Sequence, residues 1–394
     1  MDGSMDDPPP RQVESLSVED VRALHDLLAD LGQAARRFRF DVAPNPCVGA
    51  CVLSSGVEVG RGFHLEFGGA HAEVQALAAA EKSGVPGDRW DTLVCTLEPC
   101  SSRGKTPPCT EAVVAAGIQR VVVGDLDPDP RHRGTGLESL EKAGVDVQLL
   151  RGPSSLGQVA PHFLTWTRPE RLRRTRPWTI AKWAQTRTGQ LRPPGDIGDG
   201  RWITGPTSLR EVHQLRARVD AIVSASGTVL ADDPRLTVRP PAFSDEPPLR
   251  VVLDSYLRTS PSAKLFEEPG EGEAGGAVHL IARIGFDPRR ARELQRAGAT
   301  IHGVRPGDDG QPSLREVQSI LWDLGVRRAM LEAGPTLVGA YFRAELIDQI
   351  RVYTGGVNGG EGRDLAEWLT PDRLMEVEHA EVGGDARLDA FVRR

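Results

Sequence analysis

This chain of 394 residues is poor in cysteine, with five, carries no excess of positive charge, the net being −7, and has no apolar run approaching membrane-spanning length. It also lacks a Gly-x-Gly-x-x-Gly fingerprint following a strand. Each absence excludes something. So few cysteines, behind an acidic, Pro-rich start (Met1–Pro10) unlike a secretion signal, argue against a disulfide-stapled scaffold and for a reducing cytoplasm. A membrane-spanning helix needs about 20 consecutive apolar residues, so no membrane partner is expected. The negative balance argues against a nucleic-acid footprint over the surface. Without the glycine fingerprint a Rossmann dinucleotide site is not supported.

What is present names a reaction. His71-Ala72-Glu73 is followed by Glu98-Pro99-Cys100 and, across a Gly- and Pro-containing loop, by Cys109. One imidazole and two thiolates give zinc three protein ligands and leave a fourth position for water, which distinguishes a catalytic from a structural site. Base deaminases pair such a site with a carboxylate that carries a proton from that water to the departing ammonia, and Glu73 is the candidate. His-Ala-Glu alone is a weak signal; the two cysteines flanking one loop give it weight. Cys51 and Cys95 lie in apolar runs and read as small core hydrophobes, and Cys47 sits in a Pro-flanked turn.

The length suits two domains. Residues 1–16 read as a disordered leader, and Ser17 with Asp20 as a helix start before Val21, Leu24, Leu27, Leu28 and Leu31 at helical spacing. Strands are expected at Gly49–Leu53, Leu93–Leu97, Arg120–Gly124 and Val145–Leu150, with helices opened by His71 and Cys109, giving a three-layer αβα domain over residues 17–150. Residues 151–176, a weak apolar helix followed by Arg168, Arg171, Arg173, Arg174 and Arg176, read as a linker with a solvated basic face. From 177 to 394 the pattern is again α/β, with strands expected at Trp178–Gln185, Val219–Ser224, Arg250–Asp254, Val278–Ile281, Thr300–Val304, Arg328–Leu331 and Gln349–Tyr353. Glu267–Gly276 reads as an exposed loop.

Asp41 to Ala50, Gly69 to Leu77 and Thr96 to Cys109 resemble the deaminase half of the RibD family of bifunctional riboflavin biosynthesis proteins. Trp202-Ile203-Thr204, Leu215 to Arg218, Gly227 to Pro234, Leu236 to Arg239 and Leu331 to Leu337 resemble its reductase half in order and spacing. The resemblance implies a cytidine-deaminase-like domain followed by a dihydrofolate-reductase-like one. The first would hydrolyse the amine of 2,5-diamino-6-ribosylamino-4(3H)-pyrimidinone 5′-phosphate, and the second would reduce the ribosyl group to ribityl with NADPH. It implies zinc on His71, Cys100 and Cys109, proton transfer by Glu73, and substrate contacts at Asn45, Lys105, Arg216, Leu236, Arg239 and Glu332. NADPH contacts are implied at Ala184, Trp202, Thr228, Asp232, Ser255 and the segment Gly334-Pro335-Thr336-Leu337, which continues to Ala340. A homo-oligomer formed through the reductase domain is implied as well.

The chain departs from the family pattern at three places. Eight residues, where deaminases in general have two, separate the zinc cysteines, which is the mark of this family; within them Ser102 stands where the family has a histidine. Ala-Ser-Leu-Asp-Gly after the first reductase strand is Gln185-Thr186-Arg187-Thr188-Gly189, without the acid, and Gly200 stands where a substrate-contacting serine is expected. Alternatives are a working deaminase with a non-reducing second domain or a paralogue acting on a related pyrimidine nucleotide, a nucleic-acid base deaminase, and a zinc-stabilised binding protein. The last would tolerate Glu73→Gln.

Overall fold

Alternation along three strands makes the first unit three-layered. In β1 (Gly49–Ser54), β3 (Thr92–Cys95) and β4 (Arg120–Val123), Ala50, Val52, Leu93, Cys95, Val121 and Val123 point to one core. Cys51, Leu53, Val94 and Val122 point to another. A strand with apolar residues on both faces must be covered on both. Helix α1 (Val18–Ala35) covers the second face with Leu24, Leu28 and Leu31. Full burial of such a leucine contributes about 1.5–3 kcal/mol. The expected capping box starts this helix: Ser17 Oγ accepts from Asp20 N at 3.1 Å and Asp20 Oδ2 from Ser17 N at 2.9 Å. The computed structural model describes residues 16–104, 106–150, 156–168, 175–195, 203–242, 246–307 and 309–393. Apart from Leu16, the expected leader lies outside them.

The sheet runs β2-β1-β3-β4-β5, with β2 (Val57–Phe63) and β3 antiparallel to β1, and β3, β4 and β5 (Asp146–Leu149) parallel. The sequence reading had missed β2. Its signal was the two-residue Ser55-Gly56 loop, both residues at positive φ (50° and 79°), the conformation that matches hairpin twist. After the short α2 (Arg39–Val42), the other face carries α3 (Ala72–Glu81), α4 (Cys109–Ala115) and α5 (Thr135–Lys142). Gly60 and Gly62 let α3 lie directly on β2: a Cβ on Gly62 would sit 2.2 Å from Ala76 N and 2.4 Å from Ala72 O.

The stretch expected as a linker is corrected. It contains α6 (Leu156–Val159) and α7 (Pro161–Trp166), and Leu156, Val159, Ala160 and Phe163 belong to the core beneath α3. Arg176, expected on a solvated basic face, is buried, with its guanidinium nitrogens each 2.8 Å from a carboxylate oxygen of Asp348. The chain divides into two compact units, Met1–Arg173 and Arg174–Arg394.

The second unit is built on a sheet of order β10-β9-β8-β7-β11-β6-β12-β14-β13. Its strands are β6 (Trp178–Gln185), β7 (Ala221–Ala225), β8 (Leu249–Leu253), β9 (Val278–Arg283), β10 (Ala299–Val304), β11 (Arg328–Leu331), β12 (Gln349–Thr354), β13 (Leu374–Val382) and β14 (Asp385–Val392). Those from β10 across to β12 are parallel, while β14 and β13 add as an antiparallel hairpin. The expected strands all form, within two residues at their ends. The hairpin was missed, although Gly383-Gly384 between Val382 and Asp385, both at positive φ, is a hairpin signal. Helices α8 (Pro206–Arg216), α9 (Ser226–Asp232), α10 (Pro288–Arg296), α11 (Leu314–Asp323) and α12 (Pro335–Arg343) join the parallel strands. Such sheets bind ligands outside the carboxyl ends of their strands where the strand order reverses. Here the chain returns from the outermost β10 to place β11 between β7 and β6.

Candidate active sites

In the first unit, two helix starts bring the expected metal ligands together. His71 is the N-cap of α3 and Cys109 its counterpart at the first residue of α4, while Cys100 lies in the turn after β3. His71 Nδ1 is 3.5 Å from Cys100 Sγ and 3.3 Å from Cys109 Sγ, and the three ligand atoms lie within 4.8 Å of one another. Zinc with bonds of ~2.3 Å to sulfur and ~2.0 Å to nitrogen at a tetrahedral angle requires sulfur–nitrogen separations of about 3.5 Å, so the donor set fits that ion. Cys109 N–H donates to Cys100 Sγ at 3.3 Å. The Cys109 hydrogen bond, then His71, pull the Cys100 thiol down to about 4, while the Cys100 sulfur pushes Cys109 up. A cation bound by the two sulfurs requires them as thiolates, so its binding displaces their protons. The Cys100 contact also raises His71, against the effect of burial. Glu73, 3% exposed in the first turn of α3, has its carboxyl raised by burial, which brings the protonated form of a shuttle within reach.

These groups open into a cavity of about 390 Å³ lined by Asn45, His64, Phe67, Ser102, Asp127, His132 and Trp166 among others. Asn45 is there as expected. Two histidines that the sequence reading passed over hold it. His64 Nδ1 faces Ala70 O at 3.2 Å and must carry the proton, so Nε2 accepts from Asn45 Nδ2 at 3.2 Å, leaving the carboxamide oxygen for the cavity. His162 of α7 donates from Nε2 to Asn45 O at 3.1 Å. No local motif marks either histidine; their partners lie 19 and 117 residues away. Ser102 lines the wall without an imidazole, and Lys105 lies outside the described residues. Glu98 also lines the cavity, both carboxylate oxygens accepting Gly134 N–H at 2.9 Å, and burial lifts its carboxyl to about 7. The three remaining cysteines are buried and form no disulfide, Cys51 and Cys95 within strands as expected.

In the second unit, strand register assembles a largely buried charge cluster. Leu331 pairs with both Ala181 and Val223, so the next residues, Glu332, Lys182 and Ser224, stand side by side on the face opposite the main core. Arg216 donates from Nε and Nη2 to the Glu332 carboxylate at 2.9 and 2.7 Å and from Nη1 to Thr237 O at 2.8 Å. Burial alone would raise Glu332; Arg216 and Lys182 outweigh it and hold the carboxylate near 2. Burial lowers Lys182, with Glu332 opposing. Lys182 was passed over because one polar residue in an apolar strand has no local signature. Arg216, expected to contact substrate, has two of its guanidinium nitrogens committed to Glu332. Arg239 remains 44% exposed and pairs through Nε with Glu273 at 3.0 Å.

The expected cofactor residues follow the parallel strands: Ala184 near the end of β6, Thr228 and Asp232 in α9 after β7, Ser255 after β8, and Gly334-Pro335-Thr336-Leu337 after β11. Gly334 caps α12 without a side-chain hydrogen bond, so backbone N–H groups of the first turn remain for an anion. Leu236 is buried at φ 53°. Trp202 and Gly200 lie outside the described residues. Thr188, in place of the acid, accepts Gly359 N–H at 2.9 Å and ties the loop after β6 to the loop after β12.

Family models agree with both sites. Residues 24–125 match the cytidine and deoxycytidylate deaminase zinc-binding region, and 177–386 match the RibD C-terminal domain. The chain is 36% identical to Escherichia coli riboflavin biosynthesis protein RibD over 87% of its own length and 90% of that protein's. The Acinetobacter baumannii RibD structure superposes with a TM-score of 0.64 at 27% identity, covering 95% of this chain and all of that one. A Thermotoga maritima diaminohydroxyphosphoribosylaminopyrimidine deaminase/5-amino-6-(5-phosphoribosylamino)uracil reductase superposes at 0.62 with 26% identity, covering 94% and 99%. With a deaminase zinc region and a reductase domain in one chain, this protein belongs to the RibD family and is a bifunctional deaminase and reductase of riboflavin biosynthesis.

Proposed function

We propose that the first unit removes the amine of 2,5-diamino-6-ribosylamino-4(3H)-pyrimidinone 5′-phosphate and that the second reduces the ribosyl group of the product to ribityl with NADPH. The observation that carries the first step is the convergence of His71, Cys100 and Cys109 at zinc spacing beside buried Glu73. When bound there, zinc acts as a Lewis acid that brings the pKa of a water towards neutrality. Glu73 takes the proton from the attacking water and delivers it to the leaving amine; the carbon–nitrogen bond breaks, ammonia departs and a carbonyl replaces the amine. Asn45, its amide nitrogen engaged by His64, offers its oxygen to the pyrimidine edge. Lys105 is assigned to the phosphate or a ring oxygen.

For reduction, Arg216 positions the Glu332 carboxylate for the sugar, Leu236 is assigned to the substrate, and Arg239, the more open cation, is assigned the ribose phosphate. Ala184, Trp202, Thr228, Asp232, Ser255 and Gly334–Leu337 are assigned to NADPH, which supplies the hydride. Water delivers the accompanying proton. Zinc and NADPH are the cofactors, the cytoplasm is the location, and the second unit is the surface for self-association, which sedimentation velocity tests.

Mass spectrometry of products from the diaminopyrimidine ribosyl phosphate, with and without NADPH, tests both halves. The expected result is a deaminated product that gains two hydrogens only with NADPH. A deaminated product that never gains them would remove the reductase assignment, and no product would overturn the substrate assignment.

A further inference from the structure

Three arginines reach the loop that follows β8, and two of them are spent on holding it. Arg290 donates to Leu257 O and Thr259 O at 2.9 and 2.7 Å, and Arg258 donates to Ser226 Oγ at the start of α9 at 3.0 Å. Buried Asp254 accepts from Thr259 N and Oγ1, both at 2.7 Å, and Leu257, 1% exposed, is kept at φ 54°, a conformation that costs a branched side chain on the order of 1 kcal/mol. So braced a loop fixes Ser255 and Tyr256 at the carboxyl edge of the sheet. Tyr256 is nevertheless 61% exposed.

The third arginine is different. Arg283 ends β9, its backbone N–H donating to Ser255 O at 3.2 Å. Its guanidinium lies 5.4 Å from the Tyr256 ring centre and donates from Nη1 to the Tyr256 hydroxyl at 2.9 Å. Its Nε is buried without a hydrogen-bond acceptor, and among the described residues no carboxylate pairs with it. A cation without a counter-charge beside an exposed aromatic face is suited to a phosphorylated aromatic ligand. Between β11, which leads into Glu332 and Gly334, and β9 lie three strand spacings, about 14 Å, so a dinucleotide laid across the strand ends can reach both places.

We propose that Tyr256 and Arg283 receive the adenosine end of the dinucleotide, Tyr256 stacking on the adenine and Arg283 binding the 2′-phosphate, and that Arg283 thereby selects NADPH over NADH. This rests on the cofactor assignment above. The test is calorimetric titration of the full-length protein with NADP⁺ and with NAD⁺, for the parent and for Arg283→Gln, Arg283→Lys and Tyr256→Ala. Loss of a charge-assisted hydrogen bond is expected to raise the NADP⁺ Kd of Arg283→Gln roughly tenfold or more, leave the NAD⁺ Kd unchanged, and be partly restored in Arg283→Lys. Tyr256→Ala is expected to weaken both dinucleotides alike. Retained NAD⁺ binding in the same sample shows that the variant is folded. An unchanged NADP⁺ Kd in Arg283→Gln, or an equal loss for both dinucleotides, overturns the proposal and leaves the cofactor assignment standing. A parent protein that binds neither dinucleotide overturns both.

Discussion

The two sites of this chain are built in opposite ways. The deaminase site is made at the starts of α3 and α4 and in one turn, by His71, Glu73, Cys100 and Cys109, residues whose spacing is visible along the chain. The reductase cluster is made by parallel register, which places Lys182, Ser224 and Glu332 side by side from three strands far apart in sequence. In the first, chemistry is written into short motifs and the fold needs only to aim two helices. In the second, no motif carries the arrangement, and sheet order decides which charges meet. A site of the first kind is lost through its own residues; one of the second kind is lost through whatever sets the register or leaves a buried charge alone.

Substitutions sharpen this contrast. The largest effect is expected for Glu73→Gln, which should lower deamination by roughly 10²–10⁴-fold while zinc content and reduction of an already deaminated substrate remain. Product analysis from the two starting compounds checks it, and a parallel loss of reduction would break the separation of the sites. Next comes Glu332→Gln, which leaves the largely buried Arg216 and its neighbour Lys182 without their carboxylate. Removing one partner of a fully buried pair costs about 3–5 kcal/mol; this pair keeps some solvent contact and glutamine keeps an acceptor, so the second unit should lose about 1–3 kcal/mol together with reduction, read by urea unfolding and NADPH consumption, while deamination persists.

A smaller effect comes from His162, whose imidazole burial pushes down to about 4 from an ordinary 6.5. The unfolded chain takes up a proton near 6.5 that folded His162 refuses until about 4, so its contribution is intact above that window and is lost as pH falls through it. At the bottom of the window the loss is about 3 kcal/mol. Urea midpoints of the first unit's transition at pH 7 and pH 4.5 should converge in His162→Gln, and an unchanged pH dependence would mean that other groups cause it. The smallest effect is expected for Gly62→Ala. Its Cβ would press on Ala76 N and Ala72 O and move α3, costing about 1–3 kcal/mol and weakening zinc retention under chelator, with NADP⁺ affinity unchanged.

The reading from sequence was good where periodicity and capping act locally. Ser17 and Asp20 form their box, Cys109 opens α4, and β6 and β11 have their expected limits. It was weaker at edges. Strands β2 and β13 expose much of one face, so their apolar pattern is diluted by residues such as Glu58, Glu376 and Glu381, and only their two-residue turns announce them. Helices α6 and α7 are too short to show an amphipathic period, and their Pro-flanked, Arg-followed setting resembles a linker until Leu156 and Phe163 are found in the core.

The sequence by itself determined the metal chemistry, the family and the order of the two units, because a zinc ligand set and a helix start depend on residue type at fixed short spacing. Tertiary structure alone decided that His64 and His162 hold Asn45, that Arg216 is bound to Glu332 with Lys182 beside them, and that Arg283 meets the Tyr256 hydroxyl and, among the described residues, no carboxylate. The physical reason is common to all three. Burial and a partner's charge fix what a polar side chain can do, and which partner it meets is set by strand order and helix packing, quantities that no local stretch of chain contains.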